Sequence, residues 1–218
     1  MLTKPIPHET LDSPIPKSPQ DRLAQLVLVR HGKPALSRKM RIDWRAYHSW
    51  WAAYGESGLA ETETPPAALL ELAKRADVIV ASPLPRAWQT ALALCNGREI
   101  IADERFVEAP LPSPPIPFLR LKPTLWGVLS RALWWLGYSG EGESRKHAKI
   151  RAVSAAGRLI ELAQGRKLVL LCAHGWFNRM IRKVLRERGW QCIYDGGDSY
   201  WAYRHFEPPS THAKGPAV

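Results

Sequence analysis

Short apolar runs alternate along the chain with longer segments of helical periodicity. Continuous apolar strands separated by helices are typical of a mainly parallel sheet that is covered by helices on both faces. The pattern therefore predicts an α/β protein with three layers, α/β/α. Five runs have the composition of strands, at residues 25–30, 77–81, 99–102, 167–173 and 199–206.

Helices are predicted in the intervals between these runs, at residues 65–76, 86–95, 143–164 and 176–188. Pro65 stands where the first of them begins, and Gly165 and Gly189 directly follow the last two, as helix start and stop signals do. In open sheets of this class, ligands bind in the crevice at the carboxyl ends of the strands. The residues at those ends are therefore the first candidates for a functional site.

Three segments depart from this alternation. Residues 1–22 are rich in proline and residues 208–218 resemble a second tail, so we expect one domain at residues 23–207. Within it, residues 109–140 form an insert in which five prolines precede a predicted helix that is rich in tryptophan, with Trp126, Trp134 and Trp135. We expect the insert to pack as a small extra core, to cap the site for a bulky or apolar ligand, or to form a patch for membrane or dimer contact.

Composition narrows the class of protein. Of 218 residues, 45% are hydrophobic and 23% are charged, which is typical of a folded domain. The longest apolar stretch, residues 124–138, is interrupted by Arg131 and is too short to span a bilayer. The N-terminal residues lack the apolar run of a signal peptide. Because three cysteines cannot all pair, a reducing cytoplasm is the predicted location.

The formal net charge of +11 predicts an anionic partner. Basic residues are spread along the chain, with local clusters at residues 38–45, 145–151 and 179–188 that we interpret as solvated surfaces. No module or aromatic-basic pattern of a nucleic-acid-binding protein is present in the sequence. We therefore expect no nucleic acid, whereas a small molecule that carries a phosphate and contact with a membrane surface both stay open as partners.

Histidines and arginines stand at the carboxyl ends of three predicted strands. The first strand leads into Arg30 and His31, and the fourth leads into His174. The second strand is followed by a turn and then by Arg86 at the start of a helix, where a cation opposes the helix dipole and so has no evident structural purpose. The helix predicted after Gly175 is expected to add free backbone N–H groups at the same edge of the sheet. Because these strand ends share one edge, the sequence predicts a pocket for a dianion there.

These residue types suit phosphoryl transfer without a metal ion. A neutral imidazole is a competent nucleophile, and nearby guanidinium groups disfavour its protonated form. Arginine also binds phosphate oxygens in pairs. The candidate proton donor is Glu108, which follows the third predicted strand. Asp103 and Glu104 are its rivals, although either could instead cap a turn or pair with an arginine.

The motifs RHG at residues 30–32, SPLPRAWQT at 82–90 and AHG at 173–175, with Glu108 between the last two, resemble the histidine phosphatase (phosphoglycerate mutase-like) superfamily. The resemblance covers roughly residues 25–206 and implies the phosphoglycerate mutase-like fold. It further implies that His31 accepts the phosphoryl group, that Arg30, Arg86 and His174 bind it, and that Glu108 donates the proton. It implies no metal and no organic cofactor, and inorganic phosphate as a product.

The segment after the first motif favours a phosphatase over a mutase. Mutases of the superfamily carry a serine and a Trp-Asn pair there, whereas residues 33–38 read KPALSR. A mutase or a phosphohistidine-protein phosphatase that uses the same pocket stays an alternative. A catalytically silent phosphate-binding adaptor is an alternative of a different class. The sequence specifies neither the natural substrate nor the oligomeric state.

Overall fold

The computed structural model describes residues 24–209. The predicted N-terminal tail and residues 210–218 of the predicted C-terminal tail lie outside the described residues. Six strands are present in the described part: β1 (Gln25–Arg30), β2 (Val78–Ala81), β3 (Ile100–Ala102), β4 (Leu168–Ala173), β5 (Gln191–Asp195) and β6 (Tyr203–Glu207). The α-helices there are α1 (Trp44–Glu56), α2 (Ala67–Lys74), α3 (Pro85–Cys95), α4 (Pro123–Trp135), α5 (Arg145–Leu162) and α6 (Gly175–Glu187). No helix in this part of the chain is both long and apolar enough to cross a membrane.

The strands form one sheet in the order β3-β2-β4-β1-β6-β5. The first four strands in that order are parallel, β6 is antiparallel to β1, and β5 is antiparallel to β6. Every residue of the central strand β4 is buried, as expected for a strand that is apolar on both faces. The predicted α/β fold with a mainly parallel sheet is confirmed.

Helices cover both faces of this sheet. One apolar cluster joins β1 and β4 to α5 and α6, and a second cluster joins the sheet to α2 and α3 on the other face. The buried face of α5 is made mainly of small side chains, which allow a helix to pack close against its neighbours. The buried residues of α5 are Ala148, Ala152, Ala155, Ala156, Leu159 and Leu162.

The structure differs from the strand predictions at two places, one in β6 and one in β5. The run at residues 199–206 pairs only from Tyr203 onward, because residues 199–202 form a turn in which Trp201 adopts a left-handed φ of 62°. The strand β5 was not predicted at all. Most of its residues are exposed at the sheet edge, so it lacks the apolar run by which the other strands are recognised.

The insert contributes an extra core beside the sheet. Trp126 of α4 is fully buried, stacks on Tyr47 of α1 with ring centroids 5.6 Å apart, and donates from Nε1 to the carbonyl of Ile42 at 2.7 Å. Trp134 is fully buried in the core cluster beneath α5 and donates to the carbonyl of Glu143 at 2.9 Å. The expectation that these two tryptophans contact a ligand is therefore wrong, because packing within the protein buries both side chains.

Candidate active site

The carboxyl ends of β1 and β4 bring two histidines together. The strands are parallel neighbours with Arg30 opposite Ala173, so the next residues, His31 and His174, leave the sheet side by side. The backbone N–H of His31 donates to the carbonyl of Ala173 at 2.9 Å. The two imidazole rings are buried and lie edge to face, with centroids 5.2 Å apart.

The surroundings of His31 fix which ring nitrogen can react. Nδ1 lies 2.7 Å from the carbonyl oxygen of Gly32, which can only accept, so Nδ1 carries the hydrogen and Nε2 holds the free lone pair. Burial holds the pKa of His31 well below its ordinary value, and the guanidinium groups of Arg86 and Arg30 lower it further. At neutral pH the ring is therefore uncharged and nucleophilic at Nε2.

Gly32 is required by close packing at this point. A Cβ there would lie 2.5 Å from the indole ring of Trp201, whereas the φ of Gly32 is outside the left-handed region. The indole is itself held by a hydrogen bond from its Nε1 to Glu63 at 2.7 Å. The N–H of Gly32 donates to the hydroxyl of Thr90 on α3 at 3.0 Å. The glycine thus keeps the loop of His31 pressed between two supporting side chains.

Arg86 lies in the first turn of α3, as predicted, and its side chain is buried. Nη1 donates to the carbonyls of Tyr54 and Gly55 at 2.7 and 3.2 Å, and the guanidinium stacks over the Tyr54 ring at 4.4 Å from the centroid. Nε is buried and has no hydrogen-bond partner among the described residues. A buried donor without a partner costs free energy, so this N–H is available to bind an anion.

Arg30 is held from the opposite side of the site. Its Nη1 donates to the carbonyl of Asp198, and its guanidinium lies over the Tyr200 ring at 4.5 Å. A Cβ on Gly175 would lie 3.1 Å from Nε of Arg30, so the glycine after the second histidine makes room for this side chain. Nε of Arg30 is also buried without a partner in the described part of the chain.

His174 is fully buried and has one ring nitrogen engaged. Its Nε2 lies 2.9 Å from the hydroxyl of Ser82, whereas Nδ1 has no partner within residues 24–209. Burial, followed by the charge of Arg86, lowers the pKa of His174 well below its ordinary value. With Ser82 donating to Nε2, the neutral ring presents its Nδ1–H as a further donor.

Glu108 follows a short 3-10 turn, Glu104–Phe106, and caps helix α6. Its carboxylate accepts from the backbone N–H groups of Trp176 and Phe177 at 3.2 and 2.9 Å, and from that of Ala109 at 3.0 Å. The expectation that the first turn of α6 offers free N–H groups to a phosphate is therefore wrong for these two residues, because Glu108 occupies them.

Asp103, the rival candidate for the proton donor, instead caps a turn and pairs with an arginine. It accepts from the backbone N–H of Arg105 at 2.9 Å and pairs with the Arg105 guanidinium at 2.7 Å. This pairing lowers the pKa of Asp103, although partial burial opposes it. Glu108 lines the cavity beside His31, whereas Asp103 does not.

One cavity of about 280 Å³ joins the predicted residues Arg30, His31, Arg86 and Glu108. Trp50 and Trp51 of α1 form part of its wall. The insert also reaches this cavity, through residues other than its tryptophans. These are Leu111, Pro123, Thr124, Gly127 and Arg131. Among the residues the structure describes, no group of three or more His, Cys, Asp or Glu side chains is arranged to hold a metal ion.

Arg38 lines the same cavity, although it was interpreted as part of a solvated cluster. Its Nη2 donates to the hydroxyl of Tyr54, and its guanidinium lies over the Tyr54 ring at 4.7 Å from the centroid. Its charge contributes to the lowered pKa of His31. Nothing in the sequence around Arg38 distinguishes it from its basic neighbours.

Arg131 enters the cavity from α4. Its guanidinium lies between the rings of Trp134 and Trp176, at 4.8 and 4.5 Å from their centroids, and Nη1 is buried without a partner among the described residues. Burial lowers its pKa to about 10, against the raising effect of Glu108. One feature of the sequence sets Arg131 apart, since it is the one charged residue of α4.

This chain resembles one family of known sequences and several solved structures. The model of the histidine phosphatase superfamily (branch 1) matches residues 26–194. No curated protein sequence matches the chain at a significant level.

Three solved structures illustrate the shared fold. The native mycobacterial glucosyl-3-phosphoglycerate phosphatase aligns with a TM-score of 0.53 at 22% identity, over 76% of this chain and 81% of that one. A phosphoserine phosphatase from Entamoeba histolytica, in complex with 3-phosphoglyceric acid, gives 0.52 at 19% identity, over 76% and 81%. A phosphoglycerate mutase from Bacillus anthracis gives 0.55 at 16% identity, over 78% and 83%. At these identities the likeness establishes the fold.

Proposed function

Because this chain belongs to branch 1 of the histidine phosphatase superfamily, we propose that it hydrolyses phosphomonoesters through a phosphohistidine intermediate on His31. One observation carries the proposal. The buried, neutral imidazole of His31 has its Nδ1 tied to a backbone carbonyl and its Nε2 free, beside a cavity that Arg30 and Arg86 line. A nucleophile and the positive charge that a phosphate needs are thus present together.

The phosphoryl group of the substrate binds between the two arginines and His174. Two buried N–H groups of cavity-lining residues have no partner in the described structure, Nε of Arg30 and Nε of Arg86. His174, whose Nδ1 is also buried without a partner, does not itself line the cavity and lies beside the His31 ring, with centroids 5.2 Å apart. Phosphate oxygens accept from these donors and so replace hydrogen bonds that the protein itself does not make. Because the donors are already held in position, they also stabilise the charge that spreads over the phosphoryl oxygens in the transition state.

In the first chemical step, Nε2 of His31 attacks phosphorus while the bond from phosphorus to the ester oxygen breaks. Glu108, in its protonated form, gives its proton to the departing alkoxide. In the second step, a water molecule gives a proton to the Glu108 carboxylate and attacks phosphorus. The nitrogen–phosphorus bond then breaks, inorganic phosphate leaves, and both residues return to their starting states.

The cavity favours a compact, polar phosphoester as substrate. Its volume of about 280 Å³ suits a small molecule, and the rings of Trp50 and Trp51 offer aromatic surface to the leaving group. Arg38 and Arg131 add positive charge around that surface, which disfavours a wholly apolar leaving group. The names of two structural neighbours, a glucosyl-3-phosphoglycerate phosphatase and a phosphoserine phosphatase, indicate substrates of the same polar kind.

Hydrolysis of 4-nitrophenyl phosphate, with and without EDTA, tests this proposal. We expect the wild-type protein to hydrolyse the ester equally well in the chelator, because arginines supply the positive charge. The variant His31→Asn should lose activity by on the order of 10³-fold or more. His147→Asn, at an exposed position of α5, is the matched control and should keep full activity. Activity retained by His31→Asn, or lost in EDTA and restored by a divalent ion, contradicts the proposal.

A further inference from the structure

Helix α4 exposes an apolar face that nothing in the described structure covers. Its opposite face is buried through Trp126 and Trp134. The exposed residues recur at the spacing of one helix face, so they form a continuous stripe. They are Leu125, Val128, Ala132 and Trp135, with Leu136 directly after the helix. Val128 and Leu136 are 68% and 85% exposed, which is unusual for large apolar side chains.

The apolar surface continues at both ends of the helix. Phe118, in the loop before α4, is fully exposed and adopts a left-handed φ of 63°, which bulky residues rarely adopt. At the other end, Trp135 lines a groove of about 400 Å³ together with Val153 of α5 and Met180 of α6. Large connected apolar surfaces of this kind mark interaction sites on otherwise folded proteins.

The rim of this surface is basic. Arg120 and Lys122 are exposed just before α4, and Arg145, Lys149 and Lys183 line the groove at its far end. The guanidinium of Arg145 lies over the ring of Trp135 at 3.8 Å from the centroid, which keeps a cation directly beside the exposed indole. Helix α4 itself carries no acidic residue, and one glutamate, Glu187, is present among the described residues that line the groove.

We propose that this surface, which comprises Phe118, the outer face of α4 and the adjoining groove, docks on the surface of an anionic phospholipid bilayer. The apolar side chains enter the boundary between headgroups and acyl chains, and the basic rim contacts the lipid phosphates. The charge distinguishes this occupant from a second copy of the chain. In a symmetric dimer through α4, the two basic rims would lie close together and repel each other. An anionic bilayer instead provides an apolar interior for the side chains and negative charge for the rim.

Docking of this face also sets the position of the active-site cavity. Thr124, Gly127 and Arg131, on one edge of α4, line the cavity, while the outer face of the same helix meets the bilayer. The cavity therefore lies beside the bilayer surface in the docked state. The docking proposal rests on exposure and charge alone, so it stands or falls independently of the proposed phosphatase activity.

Co-sedimentation of the full chain with vesicles tests the proposal. We expect binding to vesicles of phosphatidylcholine mixed with phosphatidylglycerol, weak binding to phosphatidylcholine alone, and weakening of the former by salt. The double variant Val128→Glu/Leu136→Glu should lower the affinity by more than about tenfold, because two apolar side chains no longer enter the bilayer. The double variant Leu92→Glu/Ile193→Glu is the control and should bind like the wild type, since these exposed apolar side chains lie outside the proposed surface, on α3 and β5.

A charge variant gives a second, independent readout. Lys122→Gln/Lys149→Gln leaves the apolar face unchanged and should weaken binding about fivefold for each charge removed. Far-UV circular dichroism of each variant checks that the fold is retained. Absence of binding to anionic vesicles, or equal binding by Val128→Glu/Leu136→Glu, overturns the proposal. A wild-type dimer in light scattering that this variant converts to monomer overturns it too, since the face is then a contact between copies.

Discussion

At the scale of single residues, Glu108 has two roles. It caps the first turn of α6 by accepting from Trp176 and Phe177, and it lines the cavity where we propose that it gives a proton to the leaving group. A carboxylate that accepts several N–H hydrogen bonds is well positioned but has fewer oxygen lone pairs left for a proton. Oε1 accepts two of these hydrogen bonds and Oε2 only one, so a lone pair of Oε2 stays free to carry the proton.

The variant Glu108→Gln separates these two functions. The amide keeps the size and one acceptor oxygen but has no proton to transfer. We expect kcat/KM for an alkyl phosphate such as glycerol phosphate to fall by on the order of 10²-fold or more. Hydrolysis of 4-nitrophenyl phosphate should fall by less than about tenfold, because nitrophenolate leaves without protonation.

A carboxylate outside the cavity provides the control for that experiment. Asp103→Asn removes the negative charge that pairs with Arg105 and should affect the alkyl and the nitrophenyl ester to the same small extent. Equal losses on both esters in Glu108→Gln would assign Glu108 to the α6 cap and not to proton transfer.

The cavity residues differ in how far the sequence could predict them. Arg30 ends a buried parallel strand and His31 and His174 directly follow such strands, whose ends must lie together whatever the rest of the chain does. Arg38 and Arg131 reach the cavity through the packing of a loop and of α4 against α1, which depends on contacts between distant parts of the chain. No local pattern encodes such contacts, so these two arginines were missed.

At the scale of elements, α4 presents three different sides. Trp126 faces the core beside α1, Gly127 and Arg131 line the cavity, and Val128 belongs to the exposed apolar face. The sequence predicted a tryptophan-rich helix but could not orient it, because a helix that is apolar all round has no polar face to indicate solvent. For the same reason, the choice between extra core and substrate cap required the three-dimensional packing.

The variant Trp126→Ala tests the assignment of this tryptophan to the core. Loss of its buried ring, its stack on Tyr47 and its hydrogen bond to Ile42 should lower the free energy of unfolding by about 3–5 kcal/mol in urea denaturation. The control Trp135→Ala, on the exposed face, should lower it by less than about 1 kcal/mol. Wild-type stability of Trp126→Ala, combined with a selective loss of activity on large substrates, would show instead that Trp126 contacts the substrate.

At the scale of the whole molecule, the antiparallel edge of the sheet supports the site formed by the parallel part. The turn between β5 and β6 contains Asp198, whose carbonyl accepts from Arg30 and whose carboxylate pairs with Arg179 and Arg204. This support could not be predicted, because β5 is an exposed edge strand without an apolar run. The family resemblance and the α/β architecture, which depend on the parallel strands and their terminal motifs, are confirmed.

The most direct test of the account is the detection of the phosphoryl group on His31 during turnover. The protein is mixed with 4-nitrophenyl phosphate, quenched rapidly at alkaline pH to preserve phosphohistidine, digested and analysed by mass spectrometry. The account predicts phosphorylation on the peptide that contains His31, on neither His174 nor His147, and none in His31→Asn. Steady turnover without phosphorylated His31, or a phosphoryl group carried by a different residue, would contradict it.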